Sequence, residues 1–199
     1  VVSSVKFALK AQACGVDAIV AEGFEAGGHN GREETTTMTL IPLVNQAIAL
    51  PLIAAGGIGS GPAMLAALAL GADGVQVGSR FVATPEASSH NHFKAEVVKA
   101  QQGSTELTLK ELTPVRLLKN PFYDQIKQLY AEGASPEKLK EALGRGRAKK
   151  GMFEGDLIEG ELEIGQVAAQ IDKITPAAAV LAEFVATYNA SLSKMKPLG

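Results

Sequence analysis

Cysteine is nearly missing. Cys14 is the only one in 199 residues, which excludes an intramolecular disulfide framework and suits a reducing, cytoplasmic setting. There is no basic excess either. Nineteen Lys and Arg stand against 21 Asp and Glu, for a net charge of −2, so no surface is expected to neutralise the phosphates of a nucleic acid. No apolar run approaches the roughly 18 residues of a membrane span, and no charged segment followed by an apolar one opens the chain. A membrane partner is therefore not expected. Asp, Glu and His show no metal-ligand spacing, and neither a Ser-His-Asp set nor a nucleophile elbow is present. The glycines are wrongly spaced for a dinucleotide fingerprint.

What is present is a core-forming globular composition, 46% apolar and 20% charged, at a length that suits one ordinary domain. Twelve of the 21 glycines fall at or before Gly78, where apolar runs end. Val5, Ala8, Leu9 and Ala11 have helical spacing, so a helix is expected over 4–14, closed by Gly15 and with Cys14 packed within it. Strands are expected over 17–21, 52–55 and 74–77, apolar nearly throughout as befits strands covered on both faces. Between them, helices are expected over 39–49, with Pro42 in the first turn, and over 62–70, with Pro62 at its start and Gly71 at its end. Residues 15–20 and 71–76 echo each other: a helix ends at Gly and an Asp turn feeds a buried strand. Such alternation means βαβ units and a parallel sheet.

Past about residue 84 the pattern turns mostly helical and balanced in charge. Helices are expected over 89–102, 122–130 and 135–143, and from 177 to about 191 with Thr175 as N-cap and Pro176 at the first helical position. Residues 105–109 alternate weakly, like a short strand. The reading divides the chain into an α/β part, 1–84, and an appended, mostly helical cap, 85–199. Three parallel strands, or four if Val1-Val2 ends another, amount to about half of an eight-stranded barrel, which needs roughly 250 residues.

Chemistry is expected in three loops, each directly after a strand, since parallel α/β sheets carry their sites at strand carboxyl ends. In the first, Glu22 to Gly31, four glycines flank His29, a side chain suited to proton transfer near neutral pH. The second, Ala54-Ala55-Gly56-Gly57-Ile58-Gly59-Ser60-Gly61, runs into a helix start. The third is Gln76-Val77-Gly78-Ser79-Arg80-Phe81. As a consecutive pair, the last two favour a phosphate. Arg145, Arg147, Lys149 and Lys150 form a basic run followed by an acidic stretch from Glu154 to Glu163, read as a solvated face. The alternative is a surface that meets a phosphorylated cofactor or an acidic carrier protein. His90 and His92 are read as surface residues.

These loops carry a family likeness. Residues 22–29 (Glu-Gly-Phe-Glu-Ala-Gly-Gly-His), Thr35-Thr-Thr-Met38-Thr, Ala54-Ala-Gly-Gly-Ile58 and Val75-Gln-Val-Gly-Ser-Arg-Phe81 resemble the nitronate monooxygenase superfamily, and within it most the flavin-dependent enoyl-[acyl-carrier-protein] reductases of type II. Gly165-Gln166 resembles a late element of the same family. The resemblance implies the carboxyl-terminal portion of an FMN-binding (β/α)8 barrel. It places FMN against Gly27, Gly28, Ala55, Gly56, Gly57, Gln76, Gly78 and Ser79, with the phosphate at Gly56-Gly57 and Gly78-Ser79. His29 would be the catalytic group.

In the reductase reading, NADH or NADPH is the co-substrate and a small or acyl-carrier-bound enoyl thioester is reduced, as in fatty-acid synthesis. The alternative is a nitronate monooxygenase that oxidises nitroalkanes or nitronates with O2. A third reading is a truncated, non-catalytic flavin- or phosphate-binding fragment. Family members begin with several strands that have no counterpart before Val1, so the residues are read as the end of a longer protein. An open sheet edge would favour a homodimer.

Overall fold

The computed structural model describes residues 1–196; the last three residues of the expected cap lie outside them. The elements run α1 (Val5–Ala13), β1 (Ile19–Glu22), β2 (Gly28–His29), α2 (Thr37–Asn45), β3 (Leu52–Ala55), α3 (Gly61–Ala69), β4 (Gly74–Gln76) and α4 (Ser79–Val82). There follow α5 (Asn91–Lys99), β5 (Thr105–Thr108), β6 (Val115–Leu118), α6 (Pro121–Ala131), α7 (Pro136–Leu143), α8 (Arg147–Met152), a 3-10 turn over Gln166–Gln170, and α9 (Ala177–Leu192).

Local chemistry sets most helix starts. Ser4, Ser60, Asn120 and Ser135 each accept a main-chain N–H three residues on, and Pro stands in the first turn of α3, α6 and α7. His90 caps α5 in the same spirit, accepting the His92 N–H at 3.1 Å. The expected α/β alternation is present: β1, β3 and β4 form a parallel sheet in the order β1-β3-β4, pairing Ala21 with Ala54 and Ala54 with Val75. Val2 adds a parallel bridge to Ala21. The Asp73 carboxylate accepts the Leu52 N–H at 2.8 Å, which fixes the turn into β4 against the start of β3. Ile19, Leu52, Ala54, Leu40, Ile41 and Val44 are buried between this sheet and its helices.

Several expectations need correction. The loop after β1 is not all loop: Gly28 and His29 form β2, which pairs antiparallel with β6, and β6 pairs with β5. Strand β6 went unforeseen because all four of its residues are buried, so Val-Arg-Leu-Leu shows no alternation. Helix α2 begins at Thr37, which puts Pro42 inside it rather than in its first turn. Cys14 is exposed at the end of α1 and is not packed. Thr175 does not cap α9. Both oxygens of Glu86 accept the Ala177 N–H at 3.1 Å instead, and the Thr175 hydroxyl is buried without a partner. Two elements from beyond residue 84 turn back onto the earlier residues: β6 pairs with β2, and α9 packs along α3.

Candidate functional site

Parallel strands point the same way, so the chain leaves β1, β3 and β4 on one side of the sheet. There the three loops meet. Gly27, Ala55, Gly56, Gly57, Gln76, Gly78 and Ser79, seven of the eight residues expected to hold a cofactor, line one cavity of about 210 Å³. Gly28, the eighth, does not line it.

The loops are stitched together by main-chain bonds. Gly23 donates its N–H to Ala55 O at 3.0 Å, and Gly56 has φ +85° with the position of a Cβ only 2.5 Å from Gly23 O. Only glycine meets both conditions. The Thr37 hydroxyl lies 2.9 Å from Gly56 O, tying the start of α2 to the same turn. Gly165 and Gln166 close the rim: Gly165 N–H donates to Ser79 Oγ at 3.0 Å and Gln166 N–H to Glu25 O at 2.9 Å. Gly78 has nothing within 4 Å of a Cβ position, so its main chain is open to a ligand. At the start of the short α4, the Ser79 and Arg80 N–H groups have no acceptor within that helix.

Sequence reasoning missed the acidic lining. Glu22, Glu25 and Glu163 face this cavity, and no Lys, Arg or His does. Glu25 is satisfied, because it accepts the Thr37 N–H at 3.1 Å and approaches its hydroxyl at 3.0 Å. Burial raises the Glu22 carboxyl above the ordinary carboxylate range, partly offset by the N-terminal charge. Burial likewise raises Glu163, partly offset by His29. Both shifts favour the uncharged acid, which weakens the repulsion of an anion. A phosphate in this cavity would be met by main-chain donors. Its volume is below the roughly 300–1,000 Å³ of a typical cofactor pocket.

His29 stands beside this cavity rather than in it. It is exposed on β2 opposite Val115 and lines two neighbouring cavities. One, of about 220 Å³, also has Glu161, Glu163, Arg147, Leu109, Leu112 and Leu143 on its walls. The other, of about 490 Å³, is shared with Glu22 and Arg32. Arg147, read from sequence as part of a solvated face, instead donates to Leu143 O, Ala142 O and Glu159, and lies 4.6 Å from the centre of the Phe122 ring. Among the described residues no group of three His, Cys, Asp or Glu could hold a metal ion, and no helix is long and apolar enough to cross a membrane.

The family model described as nitronate monooxygenase matches residues 1–187. A Staphylococcus saprophyticus protein described as a probable nitronate monooxygenase is 31% identical over 163 residues, covering 75% of this chain and 46% of its own length. Among solved structures, FabK from Thermotoga maritima matches with TM-score 0.90 and 38% identity, covering 97% of this chain and 61% of that one. A nitroalkane oxidase from Streptomyces ansochromogenes matches with TM-score 0.78 and 27% identity, covering 98% and 58%. The chain spans about half the length of the curated relatives it matches, 51% and 46% for two of them. A model that matches all but the last twelve residues decides the family: this chain belongs to the nitronate monooxygenase family.

Proposed function

We propose that this chain carries the phosphate-gripping part of an FMN-dependent oxidoreductase, and that its reaction is the NAD(P)H-dependent reduction of an enoyl thioester borne on an acyl carrier. The observation that carries the flavin reading is the meeting of three strand-end loops at one cavity. The family and FabK are FMN enzymes, which agrees with it. In this reading β1, β3 and β4 are successive strands of a (β/α)8 barrel, and the main-chain donors of Gly56, Gly57, Gly78 and Ser79 hold the phosphate. The flavin, when bound, supplies hydride chemistry. His29 then polarises the thioester carbonyl or assists proton delivery from the adjoining cavity.

The choice of substrate rests on the likeness to FabK, an enoyl-[acyl-carrier-protein] reductase II, at TM-score 0.90. A second reading, oxidation of nitronates with O2, is favoured by the descriptions of the curated relatives and the likeness to a nitroalkane oxidase. One assay on the flavin-loaded protein separates them. Loss of NAD(P)H absorbance with crotonyl thioester supports the reductase; O2 uptake with a nitroalkane and no NAD(P)H consumption overturns it. A colourless protein that takes up no FMN supports the non-catalytic reading.

A further inference from the structure

Among the described residues, Glu163 alone lines both the glycine-loop cavity and the smaller His29 cavity. Its Oε2 lies 2.8 Å from where a Cβ on Gly28 would stand, so the carboxyl reaches the strand that carries His29. Two residues earlier, Glu161 is buried and faces the His29 cavity. Leu162 between them goes into the core, and residue 163 bridges Leu117 of β6 in antiparallel fashion. Extended backbone alternates its side chains, so both carboxyls emerge on the side opposite Leu162.

Neither carboxyl has a hydrogen-bond donor among the described residues. The near cation, Arg147, spends its donors on Leu143 O, Ala142 O and Glu159. The other charged groups around the pair are His29 on β2, Glu22 and Glu25 on the glycine-loop cavity, and Arg116 on β6, which donates to Phe24 O. Burial without a donor disfavours the charged form of each carboxyl and raises both, with His29 partly offsetting the effect on Glu163. Glu161 is accordingly pushed up to about 7, by burial first and by Glu163 next, against a smaller opposing effect of Arg147.

We propose that Glu163 is a second acid of this site, separate from His29, which protonates a ligand lying across the two cavities, with Glu161 as its proton store. The identity of the acceptor rests on the enoyl-reductase reading. In that reaction the β-carbon takes a hydride, supplied from NAD(P)H by way of the flavin. The C=C electron pair becomes the bond between the α-carbon and the proton that leaves Glu163. The O–H pair stays on the carboxylate, which is reprotonated from Glu161 and solvent. Glu163 suits this task because it spans both cavities, whereas His29 does not reach the first.

The test starts without flavin or substrate: the carboxyl carbons of 13C-glutamate-labelled protein are titrated by NMR. Two signals, assigned by their loss in Glu161→Gln and Glu163→Gln, are expected to titrate above the surface glutamates, and Glu161 is expected to move down in Glu163→Gln. Titration of both with the surface carboxylates overturns the proposal, whatever the protein's substrate proves to be. In the flavin-loaded protein, Glu163→Gln is expected to lower kcat on crotonyl thioester by about 10²-fold with KM little changed, and Glu163→Asp to restore part of it. An unchanged kcat in Glu163→Gln overturns the donor role. A protein that turns over no enoyl thioester but keeps the paired titration overturns the enoyl reading alone.

Discussion

The Glu25 carboxylate accepts the main-chain N–H of Thr37 at 3.1 Å and approaches its hydroxyl at 3.0 Å, so a loop residue caps a helix twelve positions further on. The N-cap residue itself, Thr36, makes no side-chain cap, and an anion at a helix N-terminus also meets the favourable end of the dipole. The Thr37 hydroxyl reaches Gly56 O as well, which couples helix, loop and glycine turn. Thr37→Val keeps the shape and loses the hydroxyl, leaving buried acceptors unpaired. A loss of about 1–3 kcal/mol is expected in denaturant unfolding, with Thr37→Ser close to the parent. Equal midpoints for parent and Thr37→Val would show that the hydroxyl does not hold the turn.

Gly56 and Gly78 are expected to respond oppositely to the same change. Gly56→Ala forces a side chain onto φ +85° and against Gly23 O, and should cost more than about 2 kcal/mol of stability. Gly78 has φ −102° and an open side, so Gly78→Ala should leave the melting temperature unchanged while weakening FMN binding. Calorimetry and flavin-fluorescence titration separate the two effects.

Glu161 makes stability depend on pH. Its folded-state value of about 7 lies above the ordinary 4.5, so between these values the folded protein holds a proton that the unfolded chain has released. Stability is greatest below that window and falls as pH rises through it, by about 3 kcal/mol at most. Glu161→Gln removes the titrating group. Its melting temperature is expected to vary less with pH and to exceed the parent's at about pH 8. A parent that is equally stable across the window would contradict the burial of this carboxyl.

His29 lies outside the glycine-loop cavity, so His29→Ala should retain FMN and lose the chemical step, by about 10²-fold or more in single-turnover reduction of the enoyl substrate. Release of the flavin instead would assign His29 a structural role.

Much of this was legible in the sequence. The Asp turn before β4, the proline-started helix α3 and the strand-end glycines are local signals, and local signals survive into the fold. The three loops could be named because each follows a buried strand. The acidic side of the site could not. Glu161 and Glu163 sit in a run that reads as a solvated acidic face, and only the bridge from residue 163 to Leu117, 46 positions earlier, buries it. The alternation Glu161-Leu162-Glu163-Ile164 was the available clue, a period of two that marks extended backbone. The cap on α9 was equally illegible, since Glu86 comes from 91 positions away and displaces the nearby Thr175.

The central claim is that the turns after β3 and β4 grip a phosphate. Equilibrium titration with FMN and with riboflavin, which differ only in that group, tests it most directly. FMN is expected to bind about 100-fold tighter or better, the worth of two charge-assisted main-chain bonds, and Gly78→Ala to lower FMN affinity while leaving riboflavin unchanged. Equal affinity for the two flavins, or no binding of either, would contradict it.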